Sequence, residues 1–342
     1  MHITASVKYF RSTSTLLKTH LLNPTRGPIS NPIDNFSPSP IITTFNPSQQ
    51  SNFGTHQFSQ GHSQKTQKAH QNATTKNCPL NPPSLPLTLI VATTPIRVAS
   101  PATPDHEMTR LGIGLKGTLP WPRIKTDMSF FARVTSRPPT PGTTNAIIMG
   151  RKTYDSVPKS LRPLAKRISV VITRDTSGSV REGVLQELEA RKAKMAAKAA
   201  ESAAAGTAPT PADEPITDAI VTPSLDAALS ELDSVYGSSG RLGKIFVIGG
   251  AEIYGASLRM NFGALPRPVR VVMTNVVRKP EGGNEIPYEC DTFWPLDTMD
   301  QSNGWRSASP EELTEWVGEE VTGEWKREGE VEVQMVGFEK LD

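Results

Sequence analysis

Chemistry in this chain could turn on Asp127, which stands in GIGLKGTLPWPRIKTDMSFF within the first turn of a helix read over Thr126 to Val134. Met128 and Phe131 lie one turn apart on that helix, so both can share an apolar cleft with the carboxylate. A carboxylate in such a cleft has a raised pKa, and its two oxygens can grip an amidine-like edge. An acid at this position also stabilises a helix N-terminus through the dipole, so Asp127 alone does not define a site.

Three strand ends give it company. In AIIMGRKTYDSV a strand over Ile147 to Met149 runs into Gly150, and Arg151, Lys152 and Thr153 fill the next helical turn. That turn offers free N–H groups, a positive dipole end, two cations and a hydroxyl to an anion. In KIFVIGGAEIY a strand ends in Gly249-Gly250, where the missing Cβ atoms let backbone approach a pyrophosphate. In RISVVITRD the strand ends in Thr173-Arg174, and a guanidinium there suits a 2′-phosphate, favouring NADPH over NADH. Each has an ordinary reading: surface cations, close helix-strand packing, an exposed polar pair. Together they describe one dinucleotide laid across the carboxyl edge of a parallel sheet.

Composition narrows the alternatives. All six histidines (His2, His20, His56, His62, His70, His106) precede Leu111, which removes Ser-His-Asp and Cys-His catalysis from the rest of the chain. Cys78 and Cys290 are the two cysteines, with no CxxC, so neither a disulfide framework nor a metal site is expected, and a reducing compartment fits. The net charge of +3 averages a basic first quarter, with seven Lys or Arg against Asp34, and a mildly acidic remainder. It therefore gives no reason to expect a nucleic-acid partner. No apolar run approaches the roughly 20 residues that span a bilayer, so no membrane partner is expected.

The elements that must position these residues begin at Leu85. Before it, residues 1–84 are rich in Ser, Thr, Asn, Gln and Pro and too poor in branched apolar residues to offset ordering entropy. They read as a disordered leader. The first 22 residues have the acid-free, hydroxyl-rich texture of a mitochondrial presequence, with an unstructured extension as the equal alternative. From Leu85, β-branched runs alternate with helical patterns, the mark of an α/β fold with a mostly parallel central sheet flanked by helices. Strands are expected at Leu87 to Thr93, Asn145 to Met149, Arg167 to Thr173, Ala219 to Thr222, Lys244 to Ile248 and Val269 to Thr274. Helices are expected at Thr126 to Val134, Arg151 to Val157, after the N-cap Ser224, and after Gly250. Glu330 to Lys340 alternates as an antiparallel C-terminal edge strand. Two stretches interrupt the pattern: about 96–110, and the Ala-rich helix and polar linker at about 187–215, read as a surface insertion. Gly112, Gly114 and Gly117 read as a mobile loop stiffened by Pro120-Trp121-Pro122.

With LTLIVA, GIGLKGTLPWPRIKTDMSFF, IIMGRKTY, RPLAKRISVVITR, IFVIGGAEIY, VVMTN and CDTFWP in this order, residues from Leu87 onward resemble dihydrofolate reductase, and the fungal branch most. The resemblance implies a single dihydrofolate-reductase-like domain over 85–342 that uses NADPH to reduce dihydrofolate, as a cytoplasmic monomer, or a mitochondrial protein if the leader directs it. It implies that Asp127 holds the pterin, that Trp121 anchors the loop above it, and that Thr274 supports Asp127 through water. Val91, Ala92, Met128, Phe131, Val157, Leu164 and Ile248 would meet the folate, and Arg167 its glutamate carboxylate. The cofactor would rest on Ala92, Ile113, Gly117, Gly150, Arg151, Lys152, Thr153, Thr173, Arg174, Gly249, Gly250, Ala251, Glu252, Ile253 and Tyr254.

Two other readings compete. A pyrimidine reductase of riboflavin synthesis shares the fold but lacks an LPWP segment followed by an acid in the next helix. An NADPH-binding protein whose insertion near Ile96 to Arg110 has blocked turnover would keep the motifs without the activity.

Overall fold

The computed structural model describes residues 84–99, 107–204, 214–260 and 267–341. The leader read over 1–84 lies outside the described residues apart from Ser84, as do 100–106 and 205–213 of the two interruptions.

Six strands form a parallel sheet: β1 (Leu87–Ala99), β3 (Thr144–Gly150), β4 (Ile168–Ile172), β5 (Asp218–Thr222), β6 (Leu242–Val247) and β7 (Val269–Arg278), in the spatial order β7-β1-β6-β3-β4-β5. Their apolar runs are apolar on both faces because both faces are covered. Leu87, Leu89 and Val91 enter one core with Tyr254 and Leu258 of α5 (Ala251–Arg259) and Leu225, Ala228 and Leu229 of α4 (Leu225–Leu232). Ile90, Ile147, Met149 and Phe246 enter the other, beneath α1 (Lys125–Ser136), α2 (Arg151–Ser156), α3 (Ser179–Ala204) and α6 (Pro310–Val317). Ser224 caps α4 as expected, its hydroxyl accepting the Ala227 N–H at 3.1 Å.

The last strand, β11 (Val331–Lys340), runs antiparallel to β7 as its alternation required. It is not the edge. β10 (Lys326–Glu328) and β9 (Trp305–Ala308) both pair antiparallel with it. The same period of two that marks a half-covered strand cannot tell whether its outer backbone edge is paired.

Two interruptions differ from expectation. β1 runs on to Ala99 and pairs antiparallel with β2 (Glu107–Gly114), Thr94 opposite Gly112 and Ala99 opposite Glu107. Far from looping out, the described part of 96–110 is a two-stranded ribbon. Half-buried Ile96, Val98, Met108 and Arg110 alternate with exposed Arg97, Ala99, Glu107 and Thr109. The second interruption also begins earlier, because α3 starts at Ser179 and buries Val184 and Leu188. Its first half is fixed by Tyr154, which donates to the Glu187 carboxylate at 2.8 Å, and by Arg191, which donates to the Ser160 carbonyl at 2.9 Å. Sparse apolar residues sufficed because polar contacts do the anchoring.

α1 carries Asp127 and is fixed at both ends. No side chain of its own caps its N-terminus. Glu328 supplies the acceptors instead, taking the Lys125 and Thr126 N–H groups at 2.7 and 2.8 Å and the Thr126 hydroxyl at 2.7 Å. At the other end Asn145, fully buried in β3, donates to the Thr135 and Arg137 carbonyls at 3.2 and 2.9 Å. Its oxygen accepts the Lys244 N–H at 2.8 Å. Orphan helix termini are thus satisfied from two distant strands, which locks the helix axis against the sheet.

Among the described residues no helix is long and apolar enough to cross a membrane, and no group of three His, Cys, Asp or Glu is placed to hold a metal.

Candidate active site

The sheet splits where chemistry is expected. β1 pairs with β6 only from Leu87 to Leu89, whereas its pairing with β7 continues to Thr93 opposite Asn275. β6 stays with β3 beyond that point, the Ile248 N–H donating to the Ile148 carbonyl at 2.9 Å and the Gly150 N–H to the Gly249 carbonyl at 2.8 Å. From Ile90 to Thr93 β1 therefore has no strand on its β6-side edge, opening a cleft beyond the strand carboxyl ends where open parallel sheets take ligands. The Ile90 carbonyl on this edge accepts the Tyr254 hydroxyl at 2.7 Å. Ile90 carried no signal in the sequence, since its part is played by backbone.

Asp127 lies inside α1 with only 8% of its surface exposed. Burial raises its pKa above the ordinary carboxylate value, and the hydroxyl of Thr274, facing it, opposes the shift. Thr274 is itself buried in β7 directly opposite Ala92 of β1, so helix and split strand meet at this pair.

Ala92, Phe131, Leu164 and Ile248 are partly buried against the core beneath α1, the condition of side chains that wall an open cleft. Val157 is likewise intermediate, and Met128 is 38% exposed. Val91 instead turns its side chain into the opposite core, leaving its backbone to the cleft. Phe130, absent from the sequence expectations, is the α1 aromatic that enters the core.

Arg167 is buried, yet no acidic side chain pairs with it among the described residues. It donates to the Thr135 hydroxyl at 2.7 Å and the Ala165 carbonyl at 3.0 Å. Desolvation first, and Arg191 second, pull its pKa down to about 10. A guanidinium placed this way is a cation awaiting an anion.

The three strand ends meet along one edge. The Gly249–Gly250 peptide is cis, and Gly249 has φ +112°. A Cβ on Gly249 would stand 3.2 Å from the Tyr254 ring, one on Gly250 3.5 Å from the Thr153 hydroxyl, and one on Gly150 3.3 Å from Ile253. Gly150, Thr153, Gly249, Gly250, Ala251, Ile253 and Tyr254 are thus in one neighbourhood. Tyr254 is buried beneath it, its ring 5.0 Å from that of Trp294, so it supports the turn from below. Arg151 and Lys152 are exposed, and Thr173 and Arg174 end β4 beside Glu252 of α5.

The glycine-rich stretch is not the mobile loop its composition proposed. Gly112 and Gly114 are strand residues of β2, and a Cβ on Gly112 would meet the Cys290 sulfur at 2.3 Å. Close approach, rather than freedom, asks for glycine there. The turn proper is Lys116-Gly117, at φ 50° and 80°, closed by Leu115 and Thr118 exchanging backbone hydrogen bonds at 2.9 and 3.0 Å. These are the values of a hairpin turn that matches strand twist. Gly117 stands at its exposed tip, Ile113 packs partly buried against the core, and Trp121 is buried edge-on to Tyr288 at 5.8 Å.

Asp291 holds this turn from outside, accepting the Lys116 N–H at 2.7 Å while its own N–H donates to the Gly114 carbonyl at 3.0 Å. The Lys116 N–H first, and the Thr292 hydroxyl second, keep its carboxyl below the ordinary range. The sequence offered only its place in CDTFWP. We expect Asp291→Ala to lower kcat/KM about two- to tenfold without moving the thermal midpoint. Steady-state kinetics beside a melting curve check this, and unchanged kinetics would mean that the turn needs no tether.

A mostly parallel sheet that splits at its carboxyl edge is where open α/β folds bind nucleotides. The family model for dihydrofolate reductase matches residues 107–209. The dihydrofolate reductase of Pneumocystis carinii is 34% identical over 69% of this chain and 87% of its own length. That of Cryptococcus neoformans is 34% identical over 66% of this chain and 86% of its own length. The Schizosaccharomyces pombe protein is 32% identical over 73% of this chain, which spans 46% of that longer protein. The chain belongs to the dihydrofolate reductase family.

Proposed function

We infer that this protein reduces 7,8-dihydrofolate to 5,6,7,8-tetrahydrofolate with NADPH, supplying one-carbon metabolism. The observation that carries the reading is the buried carboxylate of Asp127 beside the split between β1 and β6. A carboxylate there can take two hydrogen bonds from the 2-amino group and N3 of a pterin. By stabilising positive character in the ring it raises basicity at N5, which solvent then protonates.

The close-packed glycines at 150, 249 and 250 fit a dinucleotide, because backbone can approach its pyrophosphate only where Cβ atoms are missing. Gly150, Arg151, Lys152, Thr153, Thr173 and Arg174 would hold the phosphates, with Gly249, Gly250, Ala251, Ile253 and Tyr254 beneath them, and Ala92, Ile113 and Gly117 would border the nicotinamide. When bound, NADPH supplies a hydride to the pterin C6. The chain's own contribution is to hold both rings in near-attack contact, an effect of about 7 to 11 kcal/mol in well-oriented intramolecular reactions. Met128, Phe131, Val157, Leu164, Val91 and Ile248 exclude water around the ring, and Arg167 takes the glutamate carboxylate.

The same reading takes the enzyme as a monomer built on 85–342. The free thiol of Cys290 fits a reducing compartment, the cytoplasm or, with a leader, the mitochondrion. The test is dihydrofolate-dependent oxidation of NADPH, followed by absorbance with purified full-length protein. Cofactor binding without folate-dependent oxidation would leave a nucleotide-binding protein and overturn the reading. Sequencing the N-terminus of the mature protein from cells decides the compartment.

A further inference from the structure

At the end of β4, the Arg174 guanidinium lies 3.7 Å from the Glu252 carboxylate in the first turn of α5. Both side chains reach out from the edge, 90% and 83% exposed. The other acids nearby are committed. Asp155 pairs with Arg151 at 3.2 Å and with Arg162 at 3.5 Å. Asp175 accepts the Ser177 and Val180 N–H groups, each at 2.9 Å, closing the turn that opens α3. Glu252 is therefore the acid that occupies Arg174, the cation assigned above to the 2′-phosphate. It points along the same edge from which an anion must arrive.

We propose that Glu252 is an internal competitor for the 2′-phosphate of the cofactor, setting how strongly the enzyme prefers NADPH over NADH. The inference rests on the cofactor reading of the previous section. To engage Arg174 the phosphate must first displace a carboxylate, so part of the phosphate's interaction is cancelled by the pair that is lost. NADH brings no phosphate to this position and leaves the pair intact. The preference is accordingly smaller than an unpaired arginine would give.

The test is direct binding of NADPH and NADH to the folate-free protein, read by titration calorimetry or by quenching of tryptophan fluorescence. An exposed ion pair of this kind is weak, so Glu252→Gln is expected to tighten NADPH about two- to fivefold and leave NADH unchanged. In an Arg174→Ala background, where no guanidinium remains to compete for, Glu252→Gln should change neither. Equal tightening of both cofactors by Glu252→Gln would overturn the proposal, because it would place the carboxylate's effect on the shared pyrophosphate. NADPH tightening that persists without Arg174 would also overturn it, in favour of direct repulsion. Unchanged NADPH binding in Glu252→Gln, with Arg174→Ala still narrowing the preference, would remove Glu252 alone. A wild type that binds both cofactors equally would remove the 2′-phosphate assignment itself.

Discussion

Asp127→Asn should lower turnover by about two to four orders of magnitude and, at neutral pH, make the protein more stable. The first effect follows from losing the charge that polarises the ring while keeping the side chain's shape. The second follows from burial. In the folded state the carboxyl binds its proton more tightly than in the unfolded chain, since its pKa is raised above 3.8. Between 3.8 and that raised value the folded state holds more protons, so stability falls as pH rises through this window. Above it the charged carboxylate is a standing cost, which Asn lacks. Melting curves at pH 7 and below the unfolded pKa should therefore show a gain that disappears in acid. A midpoint that drops at both pH values would mean that Asp127 holds the fold together, and the catalytic assignment would lose its foundation. Cofactor affinity should change little in either case.

Arg167→Ala should raise KM for dihydrofolate by about 10- to 150-fold with a much smaller change in kcat. The range corresponds to losing a hydrogen-bonded charge pair of ~1.5 to 3 kcal/mol. The structure gives a sharper control than the size of the effect. Arg167 has no acidic partner among the described residues and is desolvated, so its removal also relieves a buried charge. Stability should consequently survive, and a dihydropterin without the glutamate tail should be reduced equally well by variant and wild type. If the truncated substrate suffered as much as the full one, Arg167 would be acting through α1, by way of its bond to Thr135, rather than on the substrate.

Much of the fold was legible because burial leaves a trace in composition. β3 and β4 read as strands from their largely apolar runs, and Ser224 read as a cap from its chemistry. Three errors share one cause. The described part of 96–110 looked like an interruption because its alternation is weak and Arg97, Glu107 and Arg110 put charge into it, yet the pairing of β1 with β2 stabilises it regardless. β11 looked like an edge because side-chain patterning says nothing of what binds the backbone. The glycines at 112 and 114 looked like hinges because a residue without a side chain reads the same whether it needs freedom or has no room.

The acids and bases of the site were legible by type, and Asp127, Thr274 and Arg167 are all buried. What escaped were the residues that hold others in place. Glu328 caps a helix some two hundred positions earlier in the chain, and Asp291 pins a turn from a loop of no obvious character. Asn145 went unread as well, although a polar residue inside an apolar strand is a signal of a buried network.

The clamp by Glu328 also ties catalytic competence to biogenesis. The helix bearing the acid is made before the carboxylate that ends its free N–H groups, which comes from the hairpin of β10 and β11, 203 positions further along the chain. β11 in turn completes the pairing of β7, the strand that carries Thr274. A nascent chain halted before that hairpin can lay down most of the sheet and still present an unset acid. Molecules stalled or clipped before that hairpin should therefore accumulate as compact, inactive species rather than as partly working enzyme.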